Sequence, residues 1–338
     1  MSQLQLDILK LSYIIPYKFF PEASKNSRLQ GKMPILKVGE NMKNISRSDK
    51  IRQIIGNIST LPTLPIIASQ VMELTSNPRT SVRQLSEVIS KDQSLATQIL
   101  KIVNSAYYGF PRQISTIEHA LVILGFNEIR NIAFAISILK VFPESSTSRY
   151  FDREKFWQHS IGSSIAARML ARALRYRVSG KAFIAGLIHD IGKIVLDQYA
   201  HSLFVEVIKR VQLEDISIYE AEQKVLKISH AEIGGWLVKR WNLPVEIEEA
   251  IKFHHRPEKA TINPQLTATV HLSDILTRMS SIGSGGDEKI PFVDPAAWKN
   301  LKSLRPDLDE TYLEYFLSLF KEEIKKSKAL FGIFSKRG

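Results

Sequence analysis

The chain has 338 residues, with 46 Lys and Arg against 34 Asp and Glu, and no cysteine. A hydrophobic fraction of 44% and a charged fraction of 24% are ordinary for a globular protein and argue against global disorder. The lack of cysteine excludes disulfides, iron–sulfur clusters and thiolate zinc sites, so any metal must be held by His, Asp or Glu.

The net charge of +12 is concentrated at the ends: residues 1–50 carry +5 and residues 296–338 carry +3. Solvated ends explain most of that excess, and the charge does not argue for specific nucleic-acid binding. No apolar run approaches the roughly 18 residues that span a bilayer. The apolar N-terminal stretch is interrupted by Asp7 and Lys10 and lacks a small-residue cleavage site. A soluble, cytoplasmic protein is the expectation.

Residues 1–49 show no sustained period and read as a flexible extension, with a more regular segment opening at Met42. From residue 50 to 145 the pattern is helical. Ser81 with Gln84, and Ser115 with Glu118, fit the capping box, while Asp92 and Asn127 are further candidate caps. Apolar residues between them recur at three and four, and Asn77-Pro78, Gly109, Gly125 and Pro143 punctuate. Lys101, Asn104, Ser105, Tyr107, Tyr108 and Gly109 form a polar-aromatic cluster. It reads as a partner or ligand surface, or as a helix end closed by a left-handed Gly109; the second reading is preferred.

The polar stretch 145–154 joins this lobe to a second, residues 150–285. Trp157, Ile161, Ile165 and Met169 open it with a helix face at spacing four. Further helices are expected over 182–200, 232–241, 245–255 and 265–279, then a loop over 280–292. Residues 295–338 add C-terminal helices and a basic tail. No strand-like alternation is long enough for a sheet, so the fold class is all-α.

Seven of the eight histidines lie between His159 and His271. His189 and Asp190 sit within the apolar run 182–196, and Asp274 within 268–276. A carboxylate buried there must pair or bind a cation. Asp190 could bridge two ions with His189 on one of them, and such N/O donors suit divalent Fe, Mn, Zn or Ni. A lone histidine on an apolar helix is more often a hydrogen-bonded core residue. The set shifts the balance toward metal: His159, His230, the pair His254-His255, and Asp274 accompany His189-Asp190.

These residues resemble the HD-domain superfamily of metal-dependent phosphohydrolases, whose order is His … His-Asp … Asp. His159, His189-Asp190 and Asp274 match that order. The HD-GYP branch of cyclic-di-GMP phosphodiesterases adds a lysine, a further His and a His-His pair, matched by Lys193, His230 and His254-His255. The chain is similar, more narrowly, to the HDOD family of bacterial signalling output domains. LPTLP near residue 61, KDQSLATQILKIVNSAYYGF, STIEHALVILGFNEIRNIA, GLIHDIGKIVL and HAEIGGWLVKRWNLPVEIEEAIKFHH occur in order over residues 50–285.

The resemblance implies an all-α fold, a helical N-terminal lobe packed on an HD-like lobe, acting as a regulatory module. It implies one or two divalent ions on His159, His189, Asp190, His230, His254, His255 and Asp274. Its partners would be signalling proteins or a nucleotide second messenger. The rival reading is a metal-dependent phosphohydrolase in which Asp190 and Lys193 are catalytic, Lys193 touching a phosphate oxygen. Lys193 reads equally as a solvated helix-end lysine. The Gly-Tyr-Pro of the HD-GYP branch is missing after His255, which puts cyclic-di-GMP hydrolysis in doubt. Gly285-Gly286-Asp287-Glu288 imitates the start of the GGDEF signature but lies in a polar loop, and is read as a turn.

Overall fold

A computed structural model describes residues 61–142 and 150–335, and the side chains of 328–330 and 332–335 are not among those described. The expected extension over residues 1–49, the first half of the joining stretch and the end of the basic tail lie outside the described residues. The described residues belong to one compact unit. They are all-α: helices and turns, with no strand among them.

Five helices come first: α1 (Ile66–Ser76), α2 (Val82–Ser90), α3 (Gln93–Val103), α4 (Ile117–Leu124) and α5 (Phe126–Val141). Their starts follow local chemistry. Ser81 and Gln84 form a full capping box on α2, and Asp92 caps α3. Two expected caps move. Thr116, not Ser115, accepts from His119 N, because α4 opens one residue later than expected. Asn127 lies inside α5, which Gly125 starts with a φ of 81°. α3 ends at Val103, with Asn104 as its C-cap, and Gly109, at φ +62°, closes the turn that follows.

Next come α6 (Arg153–Ala173), α7 (Ser179–Ile188), α8 (Ile191–Tyr199), α9 (His201–Glu214), α10 (Ile218–Val225), α11 (His230–Arg240), α12 (Val245–Phe253) and α13 (Pro264–Met279). α14 (Pro295–Lys302) and α15 (Tyr312–Ser335) complete the order. α6 is the central element: α7, α13 and α15 pack along it, and almost every side chain from Phe156 to Ala171 is buried. α5 packs on α7 and joins the first five helices to the rest.

The stretch 182–200, expected as one helix, is two. α7 ends at Ile188, and Asp190 turns the chain (φ −97°, ψ 6°) into α8. His189-Asp190 therefore occupies a bend rather than a helix face. Gly192 lets α8 approach α11, since a methyl group there would lie 2.0 Å from the His230 carbonyl oxygen.

Candidate metal centre

Five segments deliver the histidines and carboxylates to one point. α6 brings His159, the α7–α8 bend brings His189 and Asp190, the first turn of α11 brings His230, and α13 brings Asp274. His254 and His255 follow the end of α12. His230 is held at its helix start by a capping box between Ser229 and Glu232.

Asp190 stands at the middle. Its Oδ1 lies 3.0 Å from His230 Nε2 and 3.6 Å from His254 Nε2. Its Oδ2 lies 3.4 Å from His189 Nε2, 3.7 Å from His159 Nε2 and 2.6 Å from Lys193 Nζ. Two metal-sized groupings share it: Asp190, His230, His254 and His255 on one side, and His159, His189 and Asp190 on the other. In each, the donor atoms lie within 4.8 Å of one another. Asp274 stands beside the second group, with Oδ1 3.0 Å from His159 Nε2 and 3.8 Å from His189 Nε2. It also accepts from Arg278 Nε at 2.8 Å.

The donor atoms fit a cation. His189 Nε2, His254 Nε2, both His159 nitrogens and Asp190 Oδ1 are buried without a hydrogen bond. Leaving buried polar atoms unmet is costly, and here they converge. The far sides of the rings are fixed: His189 Nδ1 faces the Gly186 carbonyl at 2.8 Å and His254 Nδ1 faces that of Ile251 at 2.6 Å. Glu222 Oε2 accepts from His230 Nδ1 at 2.7 Å and from its backbone N–H at 2.8 Å. Such outer contacts set the tautomer and aim Nε2 at the ligand position. His271 bridges the His254 carbonyl and the Asp294 N–H.

Electrostatics follow from burial and crowding. Burial alone would raise the pKa of Asp190, but the charges of His189, Lys193 and His230 hold it well below the usual carboxylate range. Burial pulls His189 down, yet Asp190 outweighs it and pushes the ring up to about 9. His254 goes the other way, to about 4, because burial dominates and Asp190 only partly opposes it. Burial also depresses His159, against the pull of Asp274.

Lys193 is not the solvated lysine that one reading expects: it is fully buried and spent on Asp190. Three further residues belong to the centre. Glu222 and Arg278 are buried behind His230 and Asp274. Asp287, in the Gly-Gly-Asp-Glu turn, accepts from Arg278 Nη1 at 2.9 Å and from the Ile218 N–H at 3.1 Å. The same loop covers the centre. Gly283, at φ +63°, lies so close to α6 that a methyl group would sit 2.1 Å from the Lys155 carbonyl oxygen. A methyl group on Gly285 would lie 2.7 Å from Arg278 Nη2 and 3.3 Å from Lys193 Nζ. Only the spacing of four between Asp274 and Arg278 hinted at any of these contacts.

A model of the HDOD domain matches residues 61–257, which include six of the seven candidate metal ligands. The chain belongs to the HDOD family. An uncharacterized protein of Treponema pallidum is 25% identical over 240 residues, covering 70% of this chain and 46% of that one. The uncharacterized protein YuxH of Bacillus subtilis is 24% identical over 140 residues, 41% of this chain and 32% of that one. The chain thus matches less than half the length of either curated relative. Among solved structures, an HDOD domain protein with unknown function from Geobacter sulfurreducens superposes with a TM-score of 0.70 at 23% identity. The overlap covers 86% of this chain and 99% of that one. A "Putative phosphohydrolase" from Shewanella amazonensis gives 0.63 at 22% identity, covering 82% and 98%. A "Putative signal transduction protein" from Marinobacter aquaeolei gives 0.65 at 23%, covering 89% and 68%. At these identities the likeness is one of fold. No helix among the described residues is long and apolar enough to cross a membrane.

Proposed function

We propose that this chain is a cytoplasmic regulatory module of bacterial signalling that acts by binding a partner protein or a nucleotide-type ligand around a sealed metal centre. Asp190, His230, His254 and His255 would hold one divalent ion, and His159, His189 and Asp190, with Asp274 alongside, a second. Fe, Mn, Zn or Ni suits these donors. The observation that carries the reading is burial. His159, His189, Asp190, Lys193, His230 and His254 are each at most 1% exposed, and the two cations nearest the ligands face inward onto Asp190 and Asp274. A substrate phosphate needs cations free to meet it; these are engaged.

The rival, a metal-dependent phosphohydrolase, draws on Asp190 being shared between two donor groups, the arrangement of a two-metal clamp. A bound pair of ions would supply Lewis-acid activation of water. Asp190 would bridge, and Lys193 would have to leave it for a phosphate oxygen.

The deciding experiment loads the full chain with Mn²⁺ and assays bis-p-nitrophenyl phosphate and p-nitrophenyl phosphate beside Asp190→Asn. The regulatory reading expects bound metal and no turnover above the variant. Turnover that Asp190→Asn loses would overturn it in favour of the hydrolase.

A further inference from the structure

The end of α7 opposite His189 carries an arrangement that the metal centre does not use. α7 follows Val178, which places no side chain on the helix end, and its first turn holds no acidic residue. The first N–H to reach a carbonyl is that of Ala182, on Val178. The N–H groups of Ser179, Gly180 and Lys181 are left at the open helix end.

Arg130, on α5, lies across that end. A methyl group on Gly180 would sit 3.0 Å from Arg130 Nη2 and 3.4 Å from Asn131 Nδ2. Arg130 Nε is buried without a hydrogen-bond partner, and burial alone lowers the guanidinium pKa, with no carboxylate near enough to oppose it. The neighbouring acids are committed elsewhere: Glu128 to Arg168 and Tyr108, and Glu246 to Lys181. A helix N-terminus is the positive pole of the dipole and the wrong place for a lone cation. Asn131 adds a second unmet group: it is 2% exposed, it lies against Gly180, and its Oδ1 has no partner.

We infer that the amino end of α7, with Arg130 and Asn131, is a binding site for the phosphate group of a small ligand. Three backbone N–H groups and a guanidinium fork suit a tetrahedral oxyanion, and an anion here neutralises both the half-buried guanidinium and the helix pole. A hydroxyl on the ligand, that of hydrogen phosphate or of a ribose, donates to Asn131 Oδ1. Free phosphate and a nucleotide phosphate share this chemistry. None of the candidate metal ligands lines the site, so the inference stands whether or not the centre holds metal. The two are nonetheless joined by one short helix, since ten residues span about 15 Å and His189 follows directly.

The test uses the full chain, with inorganic phosphate and AMP as probes against chloride at matched ionic strength. Backbone amide resonances locate binding and the thermal midpoint measures it. Phosphate is expected to shift the Ser179, Gly180 and Lys181 amides and to raise the midpoint. Arg130→Gln removes a half-buried charge from the positive helix pole, so its midpoint without phosphate is expected to equal or exceed that of the wild type, with phosphate affinity at least tenfold weaker. Asn131→Asp supplies an internal counter-charge and is expected to abolish the phosphate response while the fold is kept. AMP binding more than tenfold tighter than phosphate would identify a nucleotide as the source; equal affinities would identify free phosphate. Silence of the three amides at about 10 mM phosphate, enough to reveal a site of millimolar affinity, would overturn the inference. So would a lowered Arg130→Gln midpoint with an unchanged phosphate response, which would make Arg130 a structural contact.

Discussion

Replacing Glu222 by Gln tests whether the groups behind the ligands matter to the metal. Glu222 is fully buried, eight residues before His230, and its Oε2 takes two hydrogen bonds from that residue, at 2.7 and 2.8 Å. The carboxylate fixes the Nδ1–H tautomer, so that the Nε2 lone pair faces Asp190 Oδ1, 3.0 Å away. Glutamine keeps an acceptor oxygen and the shape but loses the charge. Hydrogen bonds to charged groups contribute about 1.5–3 kcal/mol against about 0.5–1.5 for neutral ones. Two such bonds, less the desolvation no longer imposed on a buried carboxylate, leave a loss of about 1–2 kcal/mol in the metal-free protein. Metal affinity should fall about 10–100-fold, the usual cost of losing an outer partner of a ligating histidine. Chelator competition for Zn²⁺ measures the affinity, and urea unfolding of the metal-free protein measures the stability. Wild-type metal affinity in Glu222→Gln would refute the claim that this carboxylate orients a ligand.

Gly192→Ala would drive a methyl group to 2.0 Å from a backbone oxygen of α11. Overpacking of this kind costs about 1–3 kcal/mol or more, and metal uptake should fall as α8 and α11 separate; circular dichroism melting and metal analysis check both. Arg278→Met would strand the buried Asp274 and Asp287 carboxylates, an expected loss of about 3–5 kcal/mol in the urea midpoint analysis. The His189–Asp190 pair gives the metal-free protein a pH dependence. Because folding raises the ring from its ordinary 6.5 to about 9, the pair's contribution is full below about 6.5 and is lost as pH rises through about 9. Urea midpoints in chelator should therefore fall between pH 6.5 and 9.5, and added metal should flatten that fall by displacing the proton.

The all-α class was legible because periodicity and capping are local. Ser81 and Asp92 stand one residue before a helix and accept from its first turn, as expected, and Ser217 and Ser229, not singled out in the sequence, do the same. The candidate ligands were legible as types, because a carboxylate within an apolar run demands a partner whatever the fold. Their convergence was not, since His159 and Asp274 are 115 positions apart and the bend at Asp190 is set by tertiary packing against α11. Lys193 shows the limit most clearly. Read as a helix-end residue it suggested solvent or substrate, whereas in the fold its Nζ bonds Asp190 and the 280–289 loop passes beside it at Gly285. Glu222 and Asp287 lay in a capping helix and a polar turn, where nothing local separates a buried carboxylate from a solvated one.

The most direct measurement is the metal content of the full chain, purified without chelator and analysed by inductively coupled plasma mass spectrometry beside Asp190→Asn. A centre built around a shared Asp190 predicts one or two equivalents of a first-row divalent metal in the wild type and a loss of most of it in the variant. A wild-type protein that takes up no metal, even after reconstitution with Mn²⁺, Fe²⁺ or Zn²⁺, would contradict the centre itself.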